Sequence, residues 1–303
     1  MGFIWEKITW QGQEAAQISG YEGKIPDLMI PETIEGLPVR SIAAHAFSGR
    51  KDIRSAALPE SLVTIRPFAF YNCPQLKTLE LYNTTDDYYD GVIRQCPSLG
   101  QIAVHCVQPE NYVIIRSMLQ DVDVTLTFRL LDPEGMEQIR LTFPEYVNEA
   151  KEDTMARAIH FSIEGAGMAY RECVGKKLLD LAGYDRLLGR LTDYDFDVAA
   201  QIAFGRLLYP AELSETAREG YETFLRGNDE KALSYLIRED ERNSSVSETR
   251  LMTQRGLIGE RGLDAALKEA ADHERTELCS LLMEYRGELQ KNEGGGAALS
   301  LEW

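Results

Sequence analysis

Long apolar runs are missing from this sequence. No stretch approaches the ~20 apolar residues that span a bilayer. The opening MGFIWEKITW also lacks the basic segment and uninterrupted apolar core of an export signal. A cytoplasmic protein is expected, with no membrane among its partners. Cysteine is scarce and odd in number. Cys73, Cys96, Cys106, Cys173 and Cys279 do not form the framework of a small secreted domain, so five reduced thiols are expected. Histidine is scarcer. His45, His105, His160 and His273 fall in four separate segments with no motif around them, which offers neither a base paired with a nucleophile nor a zinc shell. No catalytic residue, metal or cofactor is expected.

Positive charge is in deficit as well: 32 Lys and Arg against 49 Asp and Glu leave a net charge of -17. The deficit is uneven, with 13 acidic and 10 basic residues in positions 1 to 120 and 36 against 22 in the remainder. An acidic surface repels phosphate backbones, so nucleic acid is not expected as a partner. Phosphate-binding loops fail on their glycines. Gly165-Ala166-Gly167 lacks the third glycine of a dinucleotide fingerprint. A P-loop ending at Gly175-Lys176 would need glycine at Tyr170 and a hydroxyl at Lys177.

What the chain does have is a 23-residue period. Leu58, Leu81 and Val104 are 23 apart, as are Ile53, Leu76 and Leu99, Ala46-Phe47 and Ala69-Phe70, and Asn72-Cys73-Pro74 and Gln95-Cys96-Pro97. A period in the 20s marks a solenoid whose rungs bury their apolar face only by stacking. Leu76-x-x-Leu79-x-Leu81 reads as one inward-facing strand per rung. The first rung, from Leu28-Met29-Ile30-Pro31, carries an insertion around Glu35 to Val39. Residues 1 to 23 read as a β-hairpin that caps the open end, with Trp5 and Trp10 assigned to the core. Cys73 and Cys96 invite a disulfide or metal reading, but a repeated cysteine at an internal turn is better read as a small buried residue.

Leu58-Pro59, Ile65, Ala69-Phe70, Cys73 and Leu76 resemble the BspA-type bacterial leucine-rich repeat over residues 20 to 125. The third rung departs from that pattern at Tyr82, Tyr88 and Val92-Ile93. The resemblance implies a binding or adhesive surface. Past the rungs, Gln108 to Asp121 suits a short closing helix. Val122, Val124, Leu126 and Phe128 alternate into a hairpin turned at Asp132-Pro133-Glu134-Gly135 and returning through Ile139 to Phe143.

From Lys176 the apolar spacing becomes helical: Leu178, Leu181 and Ala182; Ile202, Ala203 and Leu207; Tyr221, Phe224 and Leu225; Leu233, Leu236 and Ile237. Ser214 suits an N-cap, and Ser245 with Glu248 a capping box. Gly262 to Leu267 and Cys279 to Leu282 resemble the two helices of an ankyrin repeat, and Gly227 to Ile237 aligns with Asp272 to Leu282 as a degenerate copy. The expected organisation is α+β: a leucine-rich-repeat domain with its hairpin cap at 1–121, a β-hairpin and connector at 122–175, an α-helical repeat domain at 176–290, and a flexible tail at 291–303.

Functionally this predicts a non-enzymatic scaffold with an unidentified protein partner. The alternatives are an exported adhesin of the same repeat family and an enzyme within residues 144 to 200. In such a repeat the outward residues of successive strands fall into columns: Ser55, Thr78 and Gln101; Ala57, Glu80 and Ala103; Pro59, Tyr82 and His105. Glu80, Tyr82 and His105 form the candidate recognition patch, with Thr78, Gln101 and Tyr89 beside it.

Overall fold

The structure, a computed structural model, describes residues 2–153, 158–191, 195–238 and 245–297. It divides into two compact units, Met1–Tyr194 and Asp195–Trp303, so the break follows Tyr194 rather than the 122–175 connector.

In the first unit, β1 (Phe3–Trp10) and β2 (Gln13–Tyr21) form a hairpin around Gln11 and Gly12, whose φ of 48° and 81° make the two-residue turn that suits strand twist. Trp5 and Trp10 are half-buried on this edge hairpin rather than in the core. The rungs then alternate between two sheets. Strands β3 (Asp27–Met29), β6 (Ser55–Ala57), β8 (Thr78–Tyr82) and β10 (Gln101–His105) stack in parallel. On the other wall β5 (Leu37–Ile42), β7 (Thr64–Ile65) and β9 (Asp87–Tyr88) stack after β2. The insertion in the first rung is a small hairpin: β4 (Thr33–Ile34) pairs with the start of β5 around Glu35 and Gly36, at φ 50° and 81°.

The period reaches the backbone itself. Left-handed φ recurs at His45, Phe68 and Gly91 and again at Gly49, Asn72 and Gln95, each series spaced by 23. These kinks aim N–H groups at the next rung: His45, Phe47 and Gly49 donate to Pro67, Ala69 and Tyr71, and Phe68, Phe70 and Asn72 donate to Asp90, Val92 and Arg94. Between the walls, Phe47 stacks on Phe70 with ring centres 5.1 Å apart. The repeated cysteine has its own task. Cys73 Sγ donates to the Phe47 carbonyl and Cys96 Sγ to that of Phe70, each at 3.1 Å. The hydrogen bond with Cys96 and burial push the Cys73 thiol up, which keeps it protonated as a donor. All five cysteines are free.

The last rung has no successor to receive its N–H groups. Helix α1 (Val113–Asp121) ends on an acid that receives them instead: Asp121 accepts from the N–H of Gly91 at 2.8 Å and of Ile93 at 3.3 Å, from Tyr88 Oη at 2.8 Å, and from Arg94 Nε at 3.1 Å. Tyr88, which breaks the repeat pattern, does so to reach this carboxylate.

Strands β11 (Leu126–Leu131) and β12 (Glu137–Phe143) extend the β3-β6-β8-β10 sheet, β11 lying parallel to β10 and β12 antiparallel to β11. The hairpin thus continues the repeat sheet. Val122 and Val124 lie outside its strands because their carbonyls face Arg171. A two-stranded sheet, β13 (Val147–Asp153) with β14 (Ala158–Glu164), and α2 (Gly167–Glu172) follow. Gly167 lies so close to Pro144 and Glu145 that a Cβ would strike their carbonyls. Buried Arg171 donates to the carbonyls of Leu119, Val124, Pro144 and Gly167, binding α2 to α1 and the hairpin; burial pushes its pKa down to about 10. The Gly165–Cys173 segment is therefore a structural clamp. The stripe expected at Leu178, Leu181 and Ala182 is broken. Leu178 and Ala182 are exposed, and α3 (Leu181–Asp185) brings Tyr184 onto β12 within the first unit.

The second unit is helical: α4 (Phe196–Leu208), α5 (Glu215–Gly227), α6 (Asp229–Arg238), α7 (Ser245–Gln254), α8 (Glu260–Asp272) and α9 (Thr276–Ala297). Ser214 caps α5 by accepting from Ala217 N–H at 3.2 Å, whereas Ser245 is the first residue inside α7. Two predicted stripes are buried, Ile202, Ala203 and Leu207 on α4 and Leu233, Leu236 and Ile237 on α6, while of Tyr221, Phe224 and Leu225 on α5 Phe224 is only half-buried; on α8, Leu263, Ala266, Leu267 and Ala270 are buried as well. Their partners differ from the expected copy. The element beside α6 is α8 and not α9: Asp229 accepts from Gly259 N–H at 2.8 Å, and Glu269 accepts from Ser234 at 2.9 Å and Arg238 at 2.7 Å. Helix α9 continues through Gly294–Gly296 to Ala297, where a flexible tail was expected; residues 298–303 lie outside the described residues. Among the described residues, no helix is long and apolar enough to cross a membrane.

Candidate functional site

The six-stranded sheet fixes which residues share its outer face. Register places Asp27, Ser55, Thr78, Gln101, Thr127 and Thr142 in one row across the strands. The next row is Met29, Ala57, Glu80, Ala103, Arg129 and Arg140, and beside it run Tyr82, His105, Leu131 and Glu137. Of the predicted site residues, Thr78, Glu80, Tyr82, Gln101 and His105 therefore lie together on β8 and β10. Tyr89 does not. It follows β9 on the other wall, 41% exposed, with the Arg66 guanidinium 5.5 Å from its ring centre.

The patch is already organised. Tyr82 and His105 stack with ring centres 4.5 Å apart and planes 17° from parallel, and His105 Nε2 meets Glu80 Oε1 at 2.7 Å. The His105 side chain is only 13% exposed, whereas that of Glu80 is 51% exposed. Tyr82 is half-buried; burial first, then the charges of Glu32, Glu60 and Glu80, raise its pKa. Glu32 itself is held by the N–H groups of Glu60 at 2.7 Å and Ser61 at 3.0 Å.

Residues that sequence reasoning missed complete the face. Glu137 receives Arg129 Nε at 2.8 Å and Arg140 Nε at 2.6 Å. Burial would raise its pKa, but hydrogen bonds and charge from Arg140 and Arg129 outweigh that and lower it. The signal lay in the alternation of Leu126, Phe128 and Leu130 with Thr127 and Arg129, which becomes informative once β11 is known to pair with β10.

A second concavity lies in the helical unit, a groove of about 980 Å³ along α6 and α8 that Phe196 and Asp197 of α4 also line. Asp229, Glu230, Lys231, Arg238, Arg261 and Glu269 line it. Its floor depends on Gly262, where a Cβ would collide with the Asp229 carboxylate. No group of three or more His, Cys, Asp or Glu suited to a metal ion occurs among the described residues.

No curated protein matches the chain. A solved leucine-rich repeat protein of T. pallidum is 26% identical, covering 33% of this chain and 50% of its own, with a TM-score of 0.31. One from Bacteroides ovatus ATCC 8483 is 20% identical over 34% of this chain and 30% of its own, TM-score 0.29. A leucine rich cell surface protein from Faecalibacterium prausnitzii A2-165 is 22% identical over 33% and 31%, TM-score 0.28. The chain thus matches half or less of the length of each. The family model for the BspA type leucine rich repeat region matches in six copies, and residues 21–132, which hold β8, β10 and the patch between them, are such a region.

Proposed function

We propose that this protein is a non-enzymatic scaffold that receives a protein partner on the outer face of the β3–β12 sheet, around Glu80, Tyr82 and His105. The observation that carries this reading is the patch itself: a stacked aromatic pair and an exposed carboxylate on a rigid six-stranded surface, the mix that binding hot spots favour. Parallel strands hold these side chains in register without help from a ligand, so little ordering cost remains to be met on binding. The helical unit, with its ankyrin-like α8–α9 pair and acidic surface, contributes a second binding surface along the α6–α8 groove. The work is done in the cytoplasm, and nucleic acid and membrane are not its partners. The same sheet face would serve an exported adhesin, and recovery of intact protein in the cytosolic fraction alone rejects that alternative.

The test is site-specific photocrosslinking in the cells that carry the protein. A crosslinking residue at Thr78 or Gln101 is expected to yield a discrete protein adduct, and one at Tyr89 none. Adducts from Tyr89 alone would move the site to the other wall. Adducts from Tyr235 alone would assign binding to the helical unit.

A further inference from the structure

The row that contains Glu80 is electrically polar along its length. Met29 and Ala57 lead to Glu80 on β8, Ala103 on β10 leaves a shallow notch, and Arg129 and Arg140 follow on β11 and β12. Both sides of the notch are half satisfied. Glu80 gives Oε1 to His105, and its Oε2 has no partner among the described residues. Arg129 gives Nε to Glu137, and its two terminal nitrogens likewise have none. The Arg129 side chain is 38% exposed, so those donors face outward beside a carboxylate that fixes the guanidinium from below. Other acids reinforce the Glu80 side: Glu32 and Glu60 are exposed and close enough to bear on Tyr82. A spare acceptor and a spare double donor therefore stand two strands apart, across an alanine.

We infer that this face takes an extended protein segment lying across the strands, with a Lys or Arg over Glu80 and an Asp or Glu over Arg129. Adjacent strands are about 4.8 Å apart, so the two anchors are about 10 Å apart. A segment in the extended polyproline II conformation advances about 3.1 Å per residue with three residues per turn, so opposite charges three residues apart lie on its same side, about 9 Å from one another, and reach both anchors. The small Ala103 makes room for the side chains between them, and the planar Arg129 suits a bidentate carboxylate. A segment whose charges are reversed would meet like charge at both anchors, which excludes it more strongly than any single contact selects the right one. This inference rests on the strand-face reading and adds the chemistry of the partner.

The experiment is selection of phage-displayed linear peptides on the full chain. The enriched sequences are expected to share a Lys or Arg three residues from an Asp or Glu, in one fixed order. The double variant Glu80→Arg, Arg129→Glu should enrich the opposite order. Replacing the cationic residue of an enriched peptide with norleucine should weaken binding to the wild-type chain about tenfold and leave binding to Glu80→Ala nearly unchanged. Because the peptide carries that change, misfolding of a variant cannot imitate it. Enriched peptides that lose binding on Tyr82→Ala but carry no paired charges would overturn this inference while leaving the strand face as the site. Failure to enrich any peptide, or peptides indifferent to Tyr82→Ala, also overturns it; the crosslinks from Thr78 and Gln101 then decide the strand-face reading separately.

Discussion

At the first end of the rung stack, the hairpin β1–β2 extends the β5-β7-β9 wall and leaves β3 as the edge of the other sheet. At the far end, the hairpin β11–β12 extends that other sheet, and α1 closes the wall that β9 leaves open. Each end thus spends one hairpin on one sheet and a cheaper device on the other. At β3 the device is brevity: a three-residue edge exposes few unpaired groups. At β9 it is Asp121, whose carboxylate takes the place of the carbonyls of a rung that does not exist. The added edges are guarded too. Tyr184 Oη accepts from Thr142 N–H at 2.9 Å and donates to its carbonyl at 2.6 Å, while Glu6 and Lys7 sit exposed on β1. The far end depends on a few buried polar groups, the first on hairpin pairing and surface charge. Sensitivity to single substitutions should therefore be concentrated at the far end.

The strongest way to break this contrast is Asp121→Ala. The Asp121 side chain is 2% exposed, and its removal strands the Tyr88 hydroxyl and the amides of Gly91 and Ile93. A loss of about 3–5 kcal/mol in denaturant unfolding is expected, as for one partner of a buried charged network. Asp121→Asn keeps an acceptor oxygen and should lose less. An Asp121→Ala chain that unfolds like the wild type would mean that the last rung needs no substitute carbonyl.

Gly91 and Gly49 measure the contrast at equivalent kinds of kink. Both are left-handed, at φ 74° and 72°, but a Cβ on Gly91 would strike the Phe68 ring, whereas nothing lies within 4 Å of one on Gly49. Gly49→Ala should cost about 1 kcal/mol from backbone strain alone. Gly91→Ala adds overpacking and should cost about 2–4 kcal/mol. Equal losses in a side-by-side thermal melt would remove the packing argument.

At the first end, Arg50 donates to the Tyr21 and Gly23 carbonyls, and Asp52 accepts from Arg50 and from Ile25 N–H at 2.7 Å. The Arg50 hydrogen bond, against the opposing cost of burial, holds the Asp52 carboxyl well below the usual carboxylate range. A depressed carboxylate stabilises the fold above its unfolded pKa of about 3.9 and loses that contribution as pH falls toward its folded value. Asp52→Asn should therefore cost about 1 kcal/mol near neutrality, an amount suited to a partly exposed charged hydrogen bond. The gap to the wild type should narrow as pH is taken from 5 towards 2. A gap that is constant over that range would separate the stability of this end from the ionisation of Asp52.

The contrast also shows which parts of the molecule were legible in its sequence. Repetition was legible: columns 23 apart located the rungs and put Thr78, Glu80, Tyr82, Gln101 and His105 on one face. The caps were not, because a cap is by nature the place where the repeat stops. Tyr88 for Ile65 and Gly91 for Phe68 look like decay of the pattern, yet both are adaptations to Asp121, a residue 33 positions beyond Tyr88 and in no motif. Arg129 and Arg140 were hidden for a similar reason, since only the pairing of β11 with β10 places them on the rungs' face. In the helical unit the stripes were legible and their neighbours were not; 3.6-residue periodicity marks a buried side of α6 without saying that α8 covers it.

The smallest expected change in stability comes from Tyr82→Ala, and it separates the face from the caps. Tyr82 lies on β8, beside β10, and its stack with His105 is half-buried on the outer face of a sheet held together by Leu79, Leu81, Ile102 and Val104 beneath it. Removing a half-buried ring from such a pair should cost about 0.5–1 kcal/mol of folding stability. If the ring is a binding anchor, the same change should cost about 2 kcal/mol of affinity for the crosslinked partner, since hot-spot truncation acts on the complex rather than on the fold. Tyr89→Ala, on the opposite wall, should leave affinity unchanged. A Tyr82→Ala chain that melts several degrees lower and still binds normally would make the stack a structural neighbour of the caps. The recognition reading would then pass to the groove between α6 and α8.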